Sequence, residues 1–185
     1  MNRDVFYALL AAALFGASTP FAKLLVGDEA PVMLAGLLYL GSGMGLTLIR
    51  LVRDRGWKPP SLVSTEFAWL LGAILFGGVL GPVALLVGLS HTTGATASLL
   101  LNLEAVLTAV IAWTVFRESA DKRIVLGMVA IVLGGVALSW QTYGGALSNW
   151  IGPVLIALAC LCWAIDNNFT RKVSASDALF IAGVK

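Results

Sequence analysis

The 185 residues are 59% hydrophobic and 12% charged, with a mean hydropathy of +0.92 and a formal net charge of +2 at pH 7. A soluble globule of this length cannot enclose that much apolar surface, so the composition requires lipid as its solvent. The small positive charge sits at the ends of apolar runs, a membrane-anchoring pattern that gives no support to a nucleic-acid partner.

Long apolar runs alternate with short polar ones, roughly at 5–25, 31–52, 67–89, 94–116, 124–141 and 150–169, and a seventh begins at Ala178. Each complete run has about the 17–25 residues that a helix needs to cross a hydrocarbon core. The first exceeds the apolar stretch of a signal peptide, and Phe15-Gly16-Ala17 lacks a small-x-small cleavage pattern, so it is read as a retained helix. Pro20 removes a backbone donor and bends it. Lys23 lies at its far end, before an acidic loop holding Asp28 and Glu29.

Cations then recur in every second polar segment: Arg3; Arg50, Arg53, Arg55 and Lys58; Arg117, Lys122 and Arg123; Arg171 and Lys172. Those ten face Lys23 alone on the other side, which by the positive-inside rule puts the N-terminus in the cytoplasm of a multi-pass cell-membrane (inner-membrane) protein. Trp57, Trp69, Trp140 and Trp150 fall near the interfaces so defined, as an aromatic belt requires.

Small residues inside the runs are spaced for close packing. Gly41/Gly45 in the second and Gly77/Gly81 in the third have the GxxxG spacing, and Gly134–Gly135 mark the fifth. Lipid supplies no hydrophobic force between helices, so close backbone approach is what holds such a bundle together. Pro82 is a second kink site. His91, in a tight outer turn, reads as a solvated loop residue.

Glu104 lies about ten residues into the fourth run, near the bilayer midplane at 1.5 Å per residue. A carboxylate there costs at least a few kcal/mol unless it is protonated, paired or facing water, so it is a candidate for solute binding or proton coupling. Thr108 shares its face at i+4, while Asn102, two residues earlier, points elsewhere. The sixth run carries Asp166, Asn167 and Asn168, followed by Arg171 and Lys172. These polar groups either line a cavity entrance or mark a helix end with an internal ion pair. Trp163 beside them is the aromatic best placed to stack on an organic solute. Cys160 and Cys162, two apart on a helix, point to different sides and form neither a disulfide nor a metal pair.

The first and sixth runs repeat. Phe15-Gly-Ala-Ser-Thr-Pro-Phe21-Ala-Lys23 matches Trp163-Ala-Ile-Asp-Asn-Asn-Phe169-Thr-Arg171 at a constant offset of 148 (163 − 15 and 171 − 23). Five runs separate the two starts, an odd number, so the second copy enters the membrane from the opposite side, as in inverted-repeat transporters. The match makes Thr19 the counterpart of Asn167, and it places Lys23 one turn from Thr19 as a snorkelling or solute-contacting cation.

The sequence resembles the EamA-like branch of the drug/metabolite transporter superfamily. The residues that carry the resemblance are ALLAAALFGASTPFAK at 8–23, the block from Gly88 to Leu138 with its small-residue helix, Phe-Arg-Glu turn and Gly-rich helix, and the restart at 155–172. The resemblance implies an all-α integral membrane bundle in which a ten-helix protein is two inverted five-helix halves. On that pattern residues 1–145 form the first repeat, and 146–185 open a second that seven apolar or small residues at 178–184 leave incomplete, as in a fragment or truncated product. It departs from the pattern at Glu104, where many members carry proline.

The expectation is a secondary transporter, an exporter of small organic metabolites working by alternating access and proton-coupled through Glu104. Its partners would be the lipid bilayer, the solute, and a second half supplied in cis or by another subunit. Two other readings stand beside it: a membrane-embedded enzyme on apolar or lipid-linked substrates using Glu104, Asp166 or His91, and a non-transporting half-unit. Phosphate-loop, HExxH and GxSxG motifs are absent, and one histidine with no Cys/His clustering gives no case for a metal or cofactor.

Overall fold

The apolar runs become helices because nothing else spans lipid with its backbone satisfied. The computed structural model describes residues 3–26, 30–60, 62–119, 121–142 and 150–185. Asp28, Glu29 and the junction at 145–146 lie outside them, as does the side chain of Trp140. Among the described residues the helices are α1 (Arg3–Leu25), α2 (Pro31–Asp54), α3 (Glu66–Ala73), a π-helical stretch Ile74–Leu80, α4 (Gly81–Ser90), α5 (Gly94–Leu100), α6 (Leu103–Thr114), α7 (Lys122–Thr142), α8 (Ile151–Lys172) and α9 (Ala178–Val184). Five spans among those residues are long and apolar enough to cross a membrane: 5–25, 31–54, 66–90, 94–114 and 151–172. The third and fourth runs are each one span with an internal irregularity.

Helix α8 holds the centre. One side of it lies along α3, the π stretch and α4, and the other meets α5 and α6. α1 rests on α4 and α5, and α2 on α4 and α9. The main apolar cluster joins Val26, Leu34, Leu86, Leu89, Ala97, Ile156 and Cys160. Cys160 and Cys162 are both free and buried. Outside this core, Leu14, Leu40, Met44, Leu126 and Leu133 are exposed on the bundle's outer surface, where lipid covers them without penalty.

Glycine decides how α8 fits. A Cβ on Gly72 would come within 2.7 Å of the Phe169 ring, one on Gly81 within 2.8 Å of Trp163 Nε1, one on Gly88 within 2.8 Å of Ile156, and one on Gly77 would collide with the Asp166 carboxylate. Rising numbers on the third span meet falling numbers on α8, so the two run antiparallel. Gly152, at the start of α8, sits against His91, just past the end of α4. Gly77/Gly81 is therefore a packing motif; Gly41 and Gly45 have open space where a Cβ would go, and it is Gly43 between them that meets α9, at Gly183.

One end of the bundle is basic. Arg50 is buried there, its guanidinium over the rings of Phe180 (5.0 Å) and Trp57 (5.6 Å), and it donates to the Lys58 carbonyl at 2.8 Å. Arg53 pairs with Asp177, and Arg171 with Glu118. Arg171 and Lys172 also lie over the Phe116 ring, at 5.3 and 4.9 Å. Lys23 is at the opposite end, donating to the Leu89 carbonyl.

Candidate functional site

The third span is bent by its own sequence. Pro82 has no N–H, and ahead of it the helix widens, so that the Gly81 amide reaches back five residues to the Phe76 carbonyl. The next amide in that register would serve the Gly77 carbonyl, but it belongs to Pro82 and does not exist. The orphaned oxygen is taken by α8: Trp163 Nε1–H donates to it at 3.1 Å. One proline thus frees the acceptor that tethers the aromatic singled out from sequence, and that tethered side chain lines a cavity.

That cavity has a volume of about 620 Å³. Its walls bring Phe15 and Ser18 from α1, Tyr39 and Ser42 from α2, Gly77 from the π stretch, Trp163, Asp166 and Thr170 from α8, and Lys185 beyond α9. Asp166 is nearly enclosed; Lys185 Nζ approaches its Oδ1 at 2.6 Å, and Thr170 Oγ1–H donates to the same oxygen at 2.9 Å. Lys185 also donates to Thr170 Oγ1 at 3.0 Å. The pair is an ion pair with few further donors, set in an apolar and aromatic wall, and such a group interacts far more strongly with an entering polar solute than it would in water.

A second polar cluster lies on the other side of α8. Asn167 Nδ2 donates to Glu104 Oε1 at 2.9 Å and to Thr108 Oγ1 at 3.3 Å, and Asn168 Nδ2 donates to the Thr108 carbonyl at 3.1 Å and the Ala164 carbonyl at 2.8 Å. Glu104 reaches this place because the fourth span tightens at Leu101–Asn102, where Asn102 and Glu104 amides bond three residues back, to Leu99 and Leu101. The carboxylate then stands in the first turn of α6, where the helix dipole favours negative charge.

The residues selected from sequence therefore divide. Glu104, Thr108, Asn167 and Asn168 come together between α6 and α8; Asp166 and Trp163 come together on the cavity. Asn102 turns back on its own helix, donating to the Leu99 and Ser98 carbonyls at 3.0 and 3.3 Å. Thr19 is buried, and Lys23 is tied to Leu89 at the far end; neither lines the cavity. Of the two readings of the α8 polar groups, cavity lining or a helix end with an internal ion pair, Asp166 follows the first; Arg171 pairs with Glu118, and Lys185 takes Asp166. Lys185, Thr170 and Tyr39 were passed over in the sequence. Ser18 was legible as the repeat counterpart of Asp166 (166 − 148), and both line the same space, as do Phe15 and its counterpart Trp163.

The model of the EamA-like transporter family matches residues 2–140. The chain belongs to the EamA-like transporter family. It is similar to an uncharacterized transporter of Methanothermobacter thermautotrophicus, 28% identical over 96% of this chain and 56% of that protein. It is also similar to two Bacillus subtilis proteins, the uncharacterized transporters YetK, 29% identical over 91% of the chain and 52% of that protein, and YyaM, 28% identical over 91% and 56%. The chain spans about half the length of the curated relatives it matches. No solved structure matches it. An EamA-like chain of five or more apolar spans is a multi-pass membrane protein, and the all-α bundle expected from the sequence is the architecture found.

Proposed function

We propose that this chain carries one five-helix repeat and the opening of its inverted partner in a secondary transporter that exports small organic solutes by alternating access. The observation that carries the reading is the 620 Å³ cavity walled by two pairs of repeat-related residues, Phe15 with Trp163 and Ser18 with Asp166. A space bounded by equivalent positions of oppositely directed helices is where inverted-repeat transporters bind their solutes, and its volume suits a small organic molecule. Names of the relatives as transporters support the same reading.

In this scheme Asp166 and Lys185 are the polar contacts for solute, Trp163, Phe15 and Tyr39 supply the apolar wall, and Glu104 with Asn167 carries the proton. The remaining helices, about four, come from the same polypeptide or an associated subunit. The N-terminus lies in the cytoplasm, at the basic end. Proteoliposomes of the protein together with those remaining helices, loaded with candidate metabolites, test it: solute efflux driven by a pH gradient is expected, with Glu104→Gln removing the pH dependence and Asp166→Asn weakening solute affinity. Chemically altered solute would favour an enzyme, and pH-dependent transport unchanged in Glu104→Gln would remove that residue from the mechanism.

A further inference from the structure

Because residues 15–23 repeat 163–171, each α8 side chain there names a counterpart on α1. On α8, Trp163, Asp166 and Phe169 enter the glycine seam of the third span, against Gly81, Gly77 and Gly72 in turn. Their counterparts, subtracting 148, are Phe15, Ser18 and Phe21. All three are exposed, Phe15 at 57% and Phe21 at 64%. The remainder of this stretch of α1 is engaged: Thr19 and Val26 are buried, Ala22 packs on the core, and Pro20 and Lys23 lie against Gly94. The free face is continuous with an established interface, since Phe15 and Ser18 share the cavity with Trp163 and Asp166, which lie on the glycine seam.

We infer that Phe15, Ser18 and Phe21 form the docking face for a transmembrane helix that runs antiparallel to α1 and bears glycine or alanine at the spacing of Gly72, Gly77 and Gly81. Two phenyl rings flanking a small hydroxyl match pits left by missing side chains, and close fit of that kind is what binds helices in lipid. The third span of this chain is not the occupant, because α8 fills its seam, and a second copy presents the same filled seam. The occupant is a helix of the second repeat, meeting α1 as the third span meets α8. This inference rests on the inverted-repeat reading above.

The test is site-specific photo-crosslinking with benzoylphenylalanine in the natively encoded polypeptide, in its own membrane, at positions 15, 18 and 21. Leu126, 72% exposed on α7 and away from α1, is the control. Positions 15 and 21 are expected to capture a peptide carrying small residues at five- and then four-residue spacing, and replacing those residues by leucine is expected to abolish capture, while position 126 captures lipid alone. Lipid adducts alone at 15 and 21, capture of a helix without small residues, or capture of a second copy's α1 would each overturn it. Transport measured on the same membranes separates the two readings: crosslinking without transport counts against the transporter, and transport without crosslinking counts against the docking face.

Discussion

Trp163 gives its indole N–H to the Gly77 carbonyl, an acceptor left free by the missing N–H of Pro82. The three residues come from two helices and form one dependent unit. Trp163→Phe keeps an aromatic ring but removes the pyrrole edge and strands the carbonyl, so a loss of at least about 1 kcal/mol, the scale of hydrogen bonds between membrane helices, is expected. In a Pro82→Ala background residue 82 can donate to Gly77, and the loss is expected to shrink. Unfolding in mixed detergent across the four-member cycle measures the coupling; equal losses in both backgrounds would show that proline has no part in it.

The two GxxxG motifs should respond in opposite ways. Gly77→Ala and Gly81→Ala push methyl groups into Asp166 and Trp163, and a cost of about 1–3 kcal/mol follows from overpacking. Gly41→Ala and Gly45→Ala meet open space on α2, where alanine is the better helix former by about 1 kcal/mol. Detergent thermal stability is expected to fall for the first pair and to hold or rise for the second.

Removing one partner of the Asp166–Lys185 pair leaves an uncompensated charge, with side-chain exposures of only 7% and 18% on the two members. Asp166→Asn or Lys185→Met alone is expected to destabilise by about 3–5 kcal/mol, whereas the two together recover most of the loss. Chemical unfolding of the singles and the double decides this. Additive losses would mean that the two side chains act independently.

Asp177 couples α9 to α2. Its Oδ1 accepts the Phe180 amide at 2.9 Å as the cap of α9, and its other oxygen faces Arg53, so the amide first and the guanidinium second hold its carboxyl below the usual aspartate range. A depressed value means that the contact is complete above the ordinary aspartate pKa of about 3.9 and weakens as pH falls through the folded value. The protection of α9 amides, relative to their intrinsic exchange at each pH, is expected to fall on going from pH 6 to pH 3, and Asp177→Asn, which can still cap, is expected to flatten that dependence. A pH response unchanged in the asparagine variant would assign it elsewhere.

Orientation is open to chemical labelling. With Cys160 and Cys162 replaced, single cysteines at His91 and Trp150 are expected to react with an impermeant maleimide in intact cells, and those at Arg55 and Arg123 only after permeabilisation. The reverse pattern would invert the topology.

Spans, the basic end and the family were legible because each is written in many residues at once: twenty-residue runs, ten cations on alternate segments, and a block of some fifty residues. Glu104 and Asp166 stood out because ionisable groups at membrane depth are rare. Their partners did not. Lys185 follows a short helix, and only the tertiary fold brings it to Asp166, nineteen positions back (185 − 166). Motif spacing likewise treated Gly41/Gly45 and Gly77/Gly81 as equals, since spacing says nothing about which helix face meets a neighbour. The tightening at Leu101–Asn102 has no proline or glycine to announce it.

Gly72 and Gly81 are nine residues apart, which in an unbroken α-helix is two and a half turns and would set them on opposite faces. Both nonetheless meet α8. The wider turns of the π stretch between them rotate each residue by less, swinging the two ends of the span toward a common partner. The third span therefore works as a phase corrector: its length in residues, more than its composition, determines whether α8 has a continuous seat. A single deletion between Ile74 and Leu80, harmless to hydropathy, would turn half of that seat toward lipid.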